Sequence, residues 1–355
     1  MATIRTDTTY TFRTFETSDG AKIFRIPMQA FPFLWVYAYL VLVDGLVVLI
    51  DTGSGFGESN AHLEAGFELA GRIAGQRIRV EDLTHILITH GHIDHFGGLA
   101  FLCDRARPLV GIHELDLGIL TSYEERVAIA ESRLRDYLTE AGVSEDQGTE
   151  ILDMYRLNKP LFHSMKVDFA YKAADMRVGP FEMLHVPGHS PGHVVIRLHD
   201  VLFSGDHVLG RITPHQSPER LTLNTGLGHY LESLDLVEKW AGNLSLTMPG
   251  HDEPIQDLSR RVSEIREAHA FRLKKTIDFL IRPHTIAEVS AELFGRVNGY
   301  DTLLAIEEAG AHVEYLHELG LLRIINMEDL ASREKSKAAR YLRTEDPLLA
   351  KIRII

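Results

Sequence analysis

THGHIDHFGG, residues 89–98, places three histidines and one aspartate within six positions: His90, His92, Asp94 and His95. Imidazole and carboxylate are the ligands that a divalent transition metal takes from a protein lacking thiolates, and Cys103 is the one cysteine of the chain. Gly91 between His90 and His92 fits a loop that wraps around an ion. Asp94 and His95 are adjacent, so their side chains diverge, and one ion does not easily take all four groups. Two neighbouring ions do, with His90 and His92 on the first and Asp94 and His95 on the second.

Each ion then needs further ligands, and three downstream residues stand in similar settings. His189 lies in VPGHSPGH (186–193), Asp206 in FSGD (203–206) and His251 in PGHDEP (249–254). Each follows an apolar, strand-like stretch and sits beside glycine, where a loop above a rigid sheet can carry a functional group. His193 and His207 stand next to these residues and are read as groups that hold the ligands in place. The isolated histidines His62, His113, His163, His269 and His312 are read as surface or internally satisfied residues, and Cys103 as a small buried apolar residue.

The surrounding pattern supplies strands for these loops. LVVLI (46–50) runs into Asp51-Thr52-Gly53, and ILI (86–88) runs into the histidine loop. A helix is expected over about 61–74, another from near Gly97, and a strand at Leu109–Ile112. The long apolar run over residues 32–50 is broken by Pro32, Asp44 and Gly45. Asp44-Gly45 between two β-rich stretches reads as a hairpin, so two buried strands are expected rather than a membrane helix. Strands resume at Phe181–Val186, Val194–Leu198 and Val201–Ser204.

Between them, Val127, Ala130, Leu134, Tyr137 and Ala141 recur at helical spacing. Gly142 ends that helix, and Ser144 with Gln147 reads as the start of a second. These helices form an insertion over about 115–160, either a lid or partner surface or one layer of the core. From Pro254 the pattern is mostly helical. A long helix over about 258–282 ends before Pro283, Thr285 caps a short helix through Phe294, and Leu303–Leu319 is a third, followed by LLRII (321–325). That order resembles a winged-helix module. The chain is therefore divided into a domain at 1–257 and a winged-helix-like domain at 258–355. The basic run Arg333, Lys335, Lys337, Arg340 and Arg343 reads as a solvated helix face.

Composition narrows the function classes. The net charge is −13, with 45% hydrophobic and 25% charged residues among 355. From Arg260 onward there are 16 basic and 15 acidic residues, so the preceding 21 basic and 35 acidic residues give the front part a charge of −14. Broad nucleic-acid binding needs Lys and Arg to displace counterions, so this balance disfavours RNA as a partner. A single cysteine excludes an internal disulfide framework and suits a cytoplasmic protein. The N-terminal MATIRTDTTYTFRTF lacks the apolar core of a signal peptide.

Taken together, Asp51-Thr52-Gly53, His90-x-His92-x-Asp94-His95, His189, Asp206 and His251 resemble the five motifs of the metallo-β-lactamase superfamily over about residues 20–255. The resemblance implies an α+β fold, an αββα sandwich with the mostly helical winged-helix-like domain appended, and a binuclear site at one edge. It implies His90, His92 and His189 on one metal, Asp94, His95 and His251 on the other, and Asp206 bridging both. Asp51 would hold the histidine loop by hydrogen bonds. Antibiotic-cleaving members typically carry Cys where Asp206 stands, and diiron members commonly carry Glu where His92 stands, so a housekeeping hydrolase of the glyoxalase-II-like kind is implied. Residues 258–326 and 212–234 also resemble the LACTB-two-like subgroup, some of whose members cleave single-stranded RNA.

The expected chemistry is metal-activated hydroxide attack, with Asp94 passing a proton to the leaving group and His229 or Tyr230 as a further donor to the oxyanion. Two divalent ions are expected. Zinc suits the ligand set best, and iron or manganese also occupies N/O sites of this kind. A small ester, thioester or lactone is the expected substrate, and an RNA phosphodiester the alternative. The aromatics Phe31, Phe33, Trp35 and Tyr37 are read either as core strand residues or as an apolar entry. Acidic Glu307, Glu308, Glu314 and Glu318 on the third helix of the tail argue against DNA recognition. The tail is expected to shape the substrate cleft or a homodimer interface.

Overall fold

The computed structural model describes residues 11–157, 159–331 and 337–345. Its body is built on two sheets. The first runs in chain order through β1 (Arg13–Glu16), β2 (Lys22–Phe31), β3 (Leu34–Val43), β4 (Leu46–Ile50), β5 (His85–Leu87), β6 (Leu109–Ile112) and β7 (Phe169–Ala170). It is antiparallel as far as β4 and parallel beyond it. The second sheet has the order β12 (Leu246–Pro249), β11 (Val201–Gly205), β10 (Val194–Leu198), β9 (Phe181–His185), β8 (Arg177–Val178).

Helices fill the connections. α1 (Ser59–Ala74) joins β4 to β5, and the short α2 (Ile93–Phe96) and α3 (Leu99–Cys103) join β5 to β6. α4 (Glu114–Thr121), α5 (Tyr123–Glu140) and α6 (Glu145–Arg156) lie between β6 and β7, and α7 (Leu227–Ala241) lies between β11 and β12. The tail follows as α8 (Leu258–Phe279), α9 (Ile286–Phe294), α10 (Tyr300–Glu318), β13 (Leu322–Ile324), α11 (Met327–Ala331) and β14 (Tyr341–Arg343), with β13 and β14 paired antiparallel.

β3 shows why its sequence, LWVYAYLVLV, is apolar on both faces. Tyr37, Tyr39 and Val41 enter the core between the sheets with Phe181, Met183, Ile196 and Phe203. Val36, Ala38 and Leu40 face the other way, against Leu63 and Phe67 of α1 and Leu99 of α3. Strands covered on both faces need such continuous runs. The hairpin to β4 turns on Asp44 (φ +48°) and Gly45 (φ +76°), the left-handed pair that a two-residue turn requires. Among the described residues no helix is long and apolar enough to cross a membrane.

Parallel pairing aligns the carboxyl ends of β4, β5 and β6 at one edge of their sheet, and those of β9, β11 and β12 likewise share an edge. Asp51, His90, His189, Asp206 and His251 stand on the loops that leave these ends.

Three expectations change. The helix after the histidine loop starts earlier than Gly97, because His92 is extended (φ −91°, ψ 144°) and the chain coils from Ile93. Asp94 and His95 are therefore helical residues, and a carboxylate in the first turn suits the positive end of the helix. The inserted α5 and α6 bury Leu134, Tyr137, Leu138 and Ile151 in one core with Leu303, Ile306 and Val313 of α10. The insertion is thus a layer packed on the tail and not a free lid. Of the basic run, Arg333 and Lys335 lie outside the described residues. Arg340 and Arg343 are not on a helix, because Ala339 and Tyr341 are buried in that same core and residues 341–343 form β14.

Candidate metal centre

The strand exits bring the seven sequence-derived groups together. His90 Nε2 lies 3.0 Å from His92 Nδ1, and ligating atoms of His90, His92 and His189 fall within 4.8 Å of one another. Asp94, His95 and His251 form a second such group, and His90, His95 and Asp206 a third. Asp206 lies between the two sets. Its Oδ1 is 3.4 Å from His95 Nε2, and its Oδ2 is 3.3 Å from His251 Nε2 and 3.8 Å from His189 Nε2. Asp94 Oδ2 is 3.3 Å from His251 Nε2 and 3.7 Å from His95 Nε2. The side chains of Asp94 and His95, adjacent on α2, thus converge instead of diverging.

Three of the imidazoles are aimed by the bond at their other nitrogen. His95 Nδ1–H donates to Asp51 Oδ2 at 2.8 Å, His189 Nδ1–H to the carbonyl of His215 at 2.8 Å, and His251 Nδ1–H to the carbonyl of Trp35 at 2.5 Å. These bonds set the tautomer and direct Nε2 inward. Asp51 also accepts the Thr89 N–H and hydroxyl, each at 2.8 Å, which anchors the start of the histidine loop. Asp51 adopts φ +57°, a strained backbone for a residue with a Cβ.

The charges alternate. Burial would raise Asp94, but the neighbouring His95 and His251 hold it at about 2. Burial also works against charge on His251, yet Asp206 and Asp94 raise it to about 10. His95 is raised in the same way against its burial, by Asp206, Asp51 and Asp94. On the other side of the cluster, burial and the adjacent His189 push His92 down to about 3, and burial with the neighbouring histidines lowers His90. The centre therefore favours positive charge beside its carboxylates and neutral imidazoles opposite.

These residues fit divalent metals. His95 Nε2, His189 Nε2 and Asp206 Oδ1 are buried and have no hydrogen-bond partner among the described residues. All three atoms belong to residues of the clustered groups, and buried polar atoms of this kind require a partner. Nitrogen and oxygen donors without thiolate suit zinc, iron or manganese.

His193 touches the centre, whereas the His207 ring meets His193 and Tyr230 and makes no hydrogen bond to the cluster among the described residues. His193 Nε2 accepts the Asp206 N–H at 3.1 Å, and its ring stacks on His90 with centroids 4.6 Å apart. His207 is buried with its ring 5.8 Å from that of His193. The hydroxyl of Tyr230, expected as an oxyanion donor, is engaged elsewhere. The residue is fully buried in α7, and its hydroxyl donates to the carbonyl of His207 at 2.9 Å. His229 is not there either. Its Nε2 lies 3.2 Å from Glu219, in a separate cleft lined by Glu314, Tyr315 and Glu318. Of the aromatics, Tyr37 is core, while Phe33 stands 99% exposed at the tip of the β2–β3 hairpin.

One functional residue was not evident from sequence. Asp116, buried in α4, accepts the N–H of Gly91 at 2.8 Å, the N–H of Gly192 at 2.8 Å and the Ser190 hydroxyl at 2.9 Å. It binds the loop of His90 and His92 to the loop of His189. An acid in the first turn of a helix carries no spacing signal of its own, so only the fold reveals its role.

A further histidine group, His269, His312 and Glu308, lies buried between α8 and α10. His312 Nδ1–H donates to the Glu308 carbonyl, which leaves Nε2 to face His269 Nδ1 at 3.2 Å. The Glu308 carboxylate already takes the Arg272 guanidinium at 3.1 Å, so its negative charge is met without an ion.

Residues 33–251 match the family model described as "Metallo-beta-lactamase superfamily". The chain is similar to the probable metallo-hydrolase YqjP of Bacillus subtilis (strain 168), 23% identical over 298 residues, 79% of this chain and 87% of that protein. It is similar to the hydroxyacylglutathione hydrolase of Shewanella sp. (strain ANA-3), 28% identical over 152 residues, 41% of this chain and 45% of that protein. Among solved structures it resembles the metallo-beta-lactamase family protein TTHA1429 from Thermus thermophilus, with a TM-score of 0.72 at 26% identity, covering 91% of this chain and 98% of that one.

Proposed function

The chain belongs to the metallo-β-lactamase superfamily, and on that premise we propose that it is a binuclear metal-dependent hydrolase acting on a small ester, thioester or lactone. The position of Asp206 carries the two-ion reading, since its Oδ2 stands between His251 at 3.3 Å and His189 at 3.8 Å while its Oδ1 faces His95 at 3.4 Å. Divalent cations, when bound there, would supply a water of lowered pKa and Lewis acidity toward a carbonyl.

The chain's own residues do the rest. His90, His92 and His189 would hold one ion, Asp94, His95 and His251 the other, and Asp206 would contribute to both. Asp51, the His215 carbonyl and the Trp35 carbonyl fix the three imidazoles that they bind, so the donors are preorganised before substrate arrives. The Asp94 side chain keeps 15% exposure; as a carboxylate it would first take a proton from the attacking water and then pass that proton to the leaving group. The acidic charge of the front part favours a compact neutral or weakly charged acyl substrate over a polyanion. The likeness to a protein named hydroxyacylglutathione hydrolase supports an acyl substrate. Glu307, Glu308 and Glu314 of α10 accept backbone N–H groups and side-chain donors of residues 215–220, which leaves that helix without the basic face a nucleic-acid reader uses.

The test is turnover of a panel of thioesters, lactones, phosphodiesters and single-stranded RNA by protein loaded with zinc, iron or manganese, with Asp206→Ala as the blank. Acyl hydrolysis lost in the blank supports the reading. RNA cleavage lost in the blank replaces the substrate class. Turnover indifferent to Asp206→Ala overturns the two-ion mechanism.

A further inference from the structure

Two of the three imidazole-aiming acceptors belong to the sandwich itself. Asp51 follows β4, and Trp35 lies in β3. The acceptor for His189 differs, because His215 stands on the loop after β11, and that loop is held by the tail.

The grip is dense and comes from two helices. On α8, Arg261 donates to the carbonyls of Leu209 at 2.6 Å and Ile212 at 2.8 Å, and Arg272 donates to the Thr213 hydroxyl at 2.9 Å. On α10, Glu307 takes His215 Nε2–H at 2.9 Å and the Ser217 hydroxyl at 3.0 Å. Glu308 takes the Gln216 N–H at 2.7 Å, and Glu314 takes the Glu219 N–H at 2.6 Å. Carboxylates accepting N–H groups make short, strong, directional bonds, and here they fix a backbone segment that has no strand or helix of its own.

We propose that α10 is a positioning element of the metal centre. Glu307 holds His215, and the His215 carbonyl sets the ring of His189. The acidic residues of α10 would then orient a metal-binding histidine through one intervening loop, and the tail would be an integral part of the active site. The inference rests on His189 being a metal ligand. Partners that orient ligating histidines typically change metal affinity by about 10–100-fold when removed.

The experiment measures zinc affinity by chelator competition, together with the visible spectrum of the cobalt-substituted protein, for wild type, Glu307→Ala, Glu307→Gln and His189→Ala. Glu307→Ala is expected to weaken one of two ions by about tenfold or more, to leave the other unchanged and to shift the cobalt spectrum. Glu307→Gln, which still accepts from His215, is expected to restore both readouts. Ser217→Ala, which removes a single hydroxyl from Glu307, supplies a milder variant with a smaller shift in the same direction if Glu307→Ala does not fold. If His189→Ala loses an ion while Glu307→Ala and Ser217→Ala keep wild-type affinity and spectrum, the positioning role is overturned and the ligand assignment stands. If His189→Ala retains both ions, the ligand assignment falls, and this inference with it.

Discussion

Asp116 accepts the backbone N–H of Gly91 at 2.8 Å, and its second oxygen accepts the N–H of Gly192 at the same distance. One buried carboxylate therefore sets the separation between the loop of His90 and His92 and the loop of His189. Asp116→Asn puts an amide NH2 against one of those N–H groups, so one loop must move. Hydrogen bonds to a charged acceptor are worth about 1.5–3 kcal/mol each. The expected outcome is a loss of thermal stability together with a drop in bound metal per chain, read by calorimetry and elemental analysis. A variant with normal metal content would show that the two loops hold their distance without this bridge.

Gly250 precedes His251 in the loop after β12. A Cβ added there meets Asp206 Oδ1 at 2.5 Å and His95 Cε1 at 2.6 Å. Neither is the end of a free surface chain, since Asp206 and His95 are both buried. Overpacking of this kind costs about 1–3 kcal/mol, and here the strain falls on two metal-facing groups. Gly250→Ala is expected to purify folded but depleted in metal and without turnover. Gly148 in α6 is the contrasting position, because a Cβ there meets nothing within 4 Å. Gly148→Ala is expected to stabilise by about 0.5–1 kcal/mol with turnover unchanged, as denaturant midpoints and kinetics would show.

Tyr230 is a core residue whose hydroxyl satisfies the buried carbonyl of His207 at 2.9 Å. Tyr230→Phe leaves that carbonyl unpaired, at a cost of about 1–3 kcal/mol. The expected result is a lower denaturation midpoint with kcat and KM unchanged. A large fall in kcat at normal stability and metal content would return the hydroxyl to the chemistry.

The site was legible where its signal is local. The string His90-x-His92-x-Asp94-His95 and the glycine-flanked residues after apolar stretches stand out in the sequence, because strand exits bear these residues and parallel pairing gathers them. Strands of the first sheet were legible from the runs of β3 and β4 and those of the second from Phe181–Val186, Val194–Leu198 and Val201–Ser204, whereas the stacking of two sheets came from the family resemblance; the helix after Thr285 was legible from its cap, which the structure shows bonded reciprocally with Glu288. Long-range partners were not. The acceptor for His189 is a backbone carbonyl, which has no residue signature, and the acid of Asp116 has no partner near it in sequence. Tyr230 was legible in principle, since Leu227, Tyr230, Leu231 and Leu234 share the buried face of α7 at spacings of three and four.

His269 offers a test of the packing between α8 and α10 that does not involve the metal centre. Burial is the main cause that lowers it, from 6.5 to about 3. Its folded pKa thus lies below the unfolded one, so between those values the unfolded chain binds more protons. Stability is complete above about pH 6.5 and falls as the pH drops toward 3, by up to about 1.4 kcal/mol per pH unit for one such group. Asn at this position keeps a donor toward His312 and does not titrate. Urea midpoints of metal-free wild type and His269→Asn, taken at pH 7, 6, 5 and 4, are expected to diverge below pH 6.5, with the variant losing less. Parallel curves would mean that His269 takes up its proton inside the fold, and that the contact with His312 tolerates the charge.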